Sequence, residues 1–95
     1  MSFEVDIRCV AGVGGWDCHV AVTEDGSQTT HEVHVPAADL SLLAPNAADP
    51  HELVARSFRF LLAREAKESI LARFDLGVIS RYFPEYEREM GRRAG

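Results

Sequence analysis

Apolar and polar residues alternate with a period of two over the first third of the chain. Phe3, Val5, Ile7 and Cys9 fall on one face of such a segment, and Glu4, Asp6 and Arg8 on the other. Over 16–23, Trp16, Cys18, Val20 and Val22 alternate with Asp17, His19, Ala21 and Thr23. Over 29–35, His31, Val33 and Val35 alternate with Thr30, Glu32 and His34. Turn chemistry separates the three runs: glycines at 12, 14 and 15 lie within a reversal over 11–15, and Asp25-Gly26 within another over 24–28. The pattern predicts a three-stranded antiparallel β-meander over 1–36. One face is acidic and solvated, and the other is oily and needs a cover.

The period changes after Pro36, which ends the third run. Residues 37–43 predict a short helical turn and 45–49 a loop. Asp49-Pro50-His51-Glu52 is a helix start, with Asp at the N-cap, Pro at the first position and Glu three residues after the cap. Val54, Phe58, Leu61 and Leu62 then recur at helical spacing to about residue 65, and Leu53 and Phe60 widen the stripe. A stripe this broad predicts a main helix that packs on the sheet and on the C-terminal segment. Ser69 and Asp75 are placed to cap two short helices, over 70–74 and 76–82. Phe83 precedes Pro84 and should leave the helical region. A last short helix over 84–91 and a frayed tail over 91–95 follow. The fold class expected is α+β in a single domain over 1–95. It comprises the three-stranded meander (1–36), then a helical part (49–90) of one main α-helix and two or three short C-terminal helices.

Four of the eight aromatic residues, Phe74, Tyr82, Phe83 and Tyr86, fall within 74–86. A segment this apolar buries itself on its own domain or on a partner rather than staying solvated. Its rings, with an Arg nearby, suit an interface.

Charge narrows the partners. The net charge is −5, and it is uneven. Residues 1–50 carry Arg8 against eight acids, and residues 51–95 carry nine basic residues against seven acids. The acidic half repels phosphates, which makes nucleic acid a poor partner. No apolar run approaches the roughly 20 residues of a membrane span, and the first residues lack the basic start of a signal peptide. A cytoplasmic protein is expected. Two cysteines are fewer than a secreted chain of this size usually carries. Cys9 and Cys18 are therefore expected as reduced thiols packed in the core, with a disulfide or redox pair as the alternative.

Motifs for chemistry are sparse. Gly12-Val13-Gly14-Gly15 follows a strand but precedes another strand, so it lacks the helix N-terminus that a phosphate loop needs. Cys18 and His19 are strand neighbours and point to opposite faces. His19 and His34, on the polar face with Asp6 or Glu32, are candidates for a metal-dependent enzyme. His31 reads as a satisfied core or edge residue. Residues 71–82 have a trace of helix-turn-helix, but the spacing leaves no exposed recognition face. No cofactor motif is present.

The segment Glu68-Ser69-Ile70-Leu71, Phe74-Asp75-Leu76, Val78-Ile79 and Tyr82-Phe83-Pro84-Glu85-Tyr86 resembles the C-terminal signature of a family of small bacterial proteins. That resemblance implies a compact domain and brings no activity, cofactor or catalytic residue. The meander followed by a helix is also similar in topology to the N-terminal part of HicB-like antitoxins, which does not fix function. The function expected is a non-catalytic interaction or adaptor module that self-associates. Its partner is a protein or a second copy, and Trp16, Tyr82, Phe83 and Tyr86 are the contact residues. The alternatives are an antitoxin-like or nucleic-acid-binding regulator acting through Arg56, Arg59, Arg73 and Arg81, and the metal-dependent enzyme using His19 and His34.

Overall fold

Strands β1 (Glu4–Gly12), β2 (Gly15–Glu24) and β3 (Ser27–Pro36) form the expected antiparallel meander in a computed structural model that describes residues 3–94, with backbone alone for 91–94. Their burial alternates as the sequence does. Ile7, Cys18, Val20, Val22, Val33 and Val35 are buried, while Asp6, Arg8, Asp17, His19 and Glu32 are exposed.

Turn chemistry sets the registers. Val13-Gly14 is a two-residue turn that pairs Gly12 with Gly15, and positive φ at Gly14 (77°) is what a type II turn asks of its third residue. A Cβ on Gly15 would overlap the Val35 carbonyl, so only glycine lets β2 start there beside β3. Asp25 and Gly26 both have positive φ, 54° and 76°, the type I′ geometry that matches the twist of a hairpin.

The sheet has four strands, not three. β3 continues into α1 (Ala37–Leu43) and α2 (His51–Leu62), and the chain returns as β4 (Arg73–Asp75), parallel to β3. Parallel pairing needs such a long crossover, which the two helices supply. The strand order is β1-β2-β3-β4. Three residues are too short to show a period. Yet Arg73, Phe74 and Asp75 run exposed, buried, exposed, and Glu32 N–H donates to the Ala72 carbonyl at 2.8 Å. The helix expected over 70–74 is replaced by one 3-10 turn (Lys67–Ser69) followed by extended chain.

Helix α2 starts one residue later than the Asp-Pro signal implies, with Pro50 rather than Asp49 as the N-cap and His51 as the first helical residue. Asp49 Oδ1 accepts the His51 N–H at 3.0 Å, and Val54 N–H donates to the Pro50 carbonyl at 2.8 Å. Leu53, Val54, Phe58 and Leu61 are buried beneath the sheet, each stabilising the fold by roughly 1.5–3 kcal/mol. A second 3-10 turn (Leu76–Val78), α3 (Ile79–Tyr82) and α4 (Tyr86–Ala94) follow. Phe83 leaves the helical region at φ −132°, as the residue before Pro84 must. Helix α4 does not end at Gly91 but continues to Ala94; the end of the expected frayed tail, Gly95, lies outside the described residues. Phe74, Leu76, Ile79, Tyr86 and Met90 join the same core as the sheet and α2, so the C-terminal segment folds back as a cover. No helix among the described residues is long and apolar enough to cross a membrane.

Candidate functional site

The buried side of the C-terminal segment is anchored by Tyr86. Its side chain is fully buried, and its hydroxyl lies 2.6 Å from Ser57 Oγ on α2. Ser57 spends its one proton on the Leu53 carbonyl at 2.7 Å, so the tyrosine is the donor. Burial raises the Tyr86 phenol well above its ordinary value. Phe60 packs edge-on against both Tyr86 and Phe83, with centroids 5.4 and 5.7 Å apart. The Arg64 guanidinium stacks 3.6 Å over the Phe60 ring and reaches Glu85 Oε2 at 3.3 Å.

The outer side of the same segment is an open apolar groove of about 380 Å³. Leu61 and Glu65 from the end of α2 and its following turn, Ile70, Leu71 and Phe74 from the chain entering β4, and Val78, Ile79, Tyr82 and Phe83 from α3 and its flanks line it, with Ser69. Tyr82 is 67% exposed and Leu71 48% exposed, so two large side chains stand at its rim in water. Of the expected contact residues, the fold therefore brings Tyr82 and Phe83 together at one surface. It places Tyr86 behind that surface, in the core, where no partner reaches it. Trp16 lies at the start of β2, half-buried against the core and away from the groove lining. Leu71 and Ile70 belong to the groove although the sequence reading gave them no role. Their signal was the apolar pair Ile70-Leu71, separated from Arg73-Phe74-Asp75 by Ala72 alone.

The polar sheet face carries ordered charge rows. Arg8, His19, Glu32 and Arg73 lie side by side across the four strands, and Asp17, His34 and Asp75 form the next row. The two-residue turn at Asp25-Gly26 puts Glu32, not His34, opposite His19. His19 Nδ1 donates to Glu32, and His34 Nδ1 donates to Asp17 at 3.0 Å. The imidazoles are thus diagonal neighbours, each paired with a carboxylate. Among the described residues no group of three or more His, Cys, Asp or Glu side chains is placed to hold a metal ion.

His31 is buried and satisfied. Its Nδ1–H donates to the Leu71 carbonyl at 2.8 Å, and in the neutral ring Nε2 accepts the Thr29 hydroxyl at 2.9 Å. It thereby ties β3 to the groove-lining segment.

Arg56, Arg59, Arg73 and Arg81 sit on three elements. Arg56 donates to the Met90 carbonyl at 3.2 Å, and Arg59 lies 3.5 Å from Glu52. Arg73 is beside Glu32 in register, and Arg81 is on α3.

Cys9 and Cys18 are not free thiols. They are directly opposite in the β1–β2 register and form a disulfide. Counting from the Gly12–Gly15 pair, theirs is a non-hydrogen-bonded position, where facing side chains come closest.

Compared with known proteins, the chain matches no family model, no curated protein and no solved structure.

Proposed function

We propose that the protein is a non-catalytic protein–protein interaction module that self-associates and takes an apolar segment of a partner in the groove beside Tyr82. The observation that carries this reading is the coexistence of a satisfied core and an unsatisfied surface. Every buried side-chain polar atom among the described residues has a partner, whereas Leu71 and Tyr82 stay in water at the rim of an apolar groove. An amphipathic tyrosine at the rim and aliphatic groups within are what an interface hot spot uses. The regulator reading has less support, because the four arginines it needs are spread over three elements and two of them are engaged, Arg56 with the Met90 carbonyl and Arg59 with Glu52. The enzyme reading needs the two imidazoles to converge, and each is turned to its own carboxylate. A cytoplasmic setting would keep Cys9 and Cys18 as thiols, so the disulfide favours a more oxidising one.

A photo-activatable benzoylphenylalanine at position 82, compared with one at the exposed Val13, tests the reading in the native host. A discrete adduct at 82 that is absent at 13, and that is lost when Leu71→Asp is added, supports it. Equal labelling at the two positions contradicts it.

A further inference from the structure

Strand β1 is an edge of the sheet, and no backbone hydrogen bond joins its outer side to another element among the described residues. The Gly12–Gly15 turn fixes which groups face out. Residues 4, 6, 8, 10 and 12 exchange bonds with β2, so Val5, Ile7, Cys9 and Ala11 present their N–H and C=O groups to the open side. An open edge of nine residues is a template for another strand.

We infer that this edge pairs with the same edge of a second copy, antiparallel and centred on Ile7, to make one continuous eight-stranded sheet. The inference rests on the self-association proposed above and names its surface. Charge decides the register. With Ile7 opposite Ile7 of the other copy, Asp6 lies opposite Arg8 and Arg8 opposite Asp6, so two opposite-charge pairs form at adjacent-strand distance. On the core face Val5 comes opposite Cys9, each half-buried in the single chain. Moving the centre to Asp6 or Arg8 places identical charges face to face, and moving it to Val5 sets Glu4 against Asp6. Centring on Cys9 leaves Arg8 opposite Val10. A one-residue slip reverses every side chain and buries the charged row. A two-fold axis normal to the sheet keeps both helical layers on the same face of the joined sheet, with the two α2 helices, each packed beside its own β1, on either side of the axis.

Light scattering on purified protein, loaded at on the order of 100 μM, tests the inference with two charge reversals. The wild-type protein should run at twice the 10.5 kDa chain mass. Asp6→Arg and Arg8→Asp should each run as the single chain with circular dichroism unchanged, their association weakened at least about tenfold. An equimolar mixture of the two variants restores both opposite-charge pairs and should return to the doubled mass. Tyr82→Ala should remain double. Reversals that leave the dimer intact, or a mixture that fails to reassociate, overturn the edge pairing. If Tyr82→Ala runs as the single chain while Asp6→Arg runs double, the edge pairing falls and self-association through the groove stands. A single-chain wild type with Tyr82-dependent adducts overturns self-association and leaves the groove reading in place.

Discussion

The Tyr86 hydroxyl donates to Ser57 Oγ across 2.6 Å inside the core, and this bond fastens α4 to α2. Both residues are fully buried, so this anchor is fixed within the core rather than at the surface. Phe60 transmits that fixity to Phe83, because its ring meets both aromatic side chains edge-on. The groove is thus open but built, with its inner wall shared with the core.

Removing the bond alone should cost modest stability. Tyr86→Phe leaves Ser57 its bond to Leu53 and should lower the unfolding free energy by about 1–2 kcal/mol in urea titration. Tyr86→Ala adds a cavity and should cost about 3–5 kcal/mol. Equal effects of the two variants would contradict this, because they would leave the packing of the ring no contribution beyond that of the hydroxyl.

Alkali should unfold the protein through the same residue. The Tyr86 value is raised by burial in the folded chain above its ordinary 10.0. Its contribution to stability is therefore complete below pH 10 and is lost as the pH rises above it, because the unfolded chain ionises first. In a Tyr82→Phe background, where Tyr86 is the single tyrosine, phenolate absorbance should appear only together with loss of the far-ultraviolet dichroism. Phenolate forming near pH 10 in the folded protein would contradict the burial.

The disulfide should be visible chemically. Denatured, unreduced protein should show no reactive thiol, and reduced protein two, one each from Cys9 and Cys18. Closing a loop this short stabilises the fold by about 2–3 kcal/mol in the chain-entropy view, and the double Cys→Ser variant should lose that amount. Two free thiols before reduction would contradict the pairing.

Much of this architecture was legible in the chain. The three meander strands followed from the period-two alternation, and α2 from Asp49-Pro50 and the Val54-Phe58-Leu61 stripe. Four features were not, each for a physical reason. β4 is too short for a period, and its strand character comes from pairing with β3 at Glu32, Val33 and His34. The disulfide depends on register. A reversal spread over 11–15 sets Cys9 opposite Asp17, whereas the two-residue turn at Val13-Gly14 sets it opposite Cys18. At Asp25-Gly26 the two-residue turn sets His19 opposite Glu32, whereas a reversal spread over 24–28 sets it opposite Val33, and neither register brings it directly opposite His34. Tyr82 and Tyr86 looked equivalent in sequence. The extended break at Phe83-Pro84 turns one outward and the other into the core.

Rim residues should be dispensable for folding. Tyr82→Ala and Leu71→Ser each remove a side chain that water already reaches, and each should change stability by no more than about 0.5 kcal/mol. A larger loss in thermal melts would mean that these side chains belong to the core rather than to a docking surface.

The central claim is that the groove at Leu71 and Tyr82 is where a partner docks. Native mass spectrometry of the protein purified gently from its host tests it most directly, comparing wild type with the Leu71→Asp, Tyr82→Ala double variant. The account predicts a partner-bearing complex for the wild type and its disappearance in the variant, with the thermal melt unchanged. A complex that survives the double substitution in a protein that is still folded would contradict it.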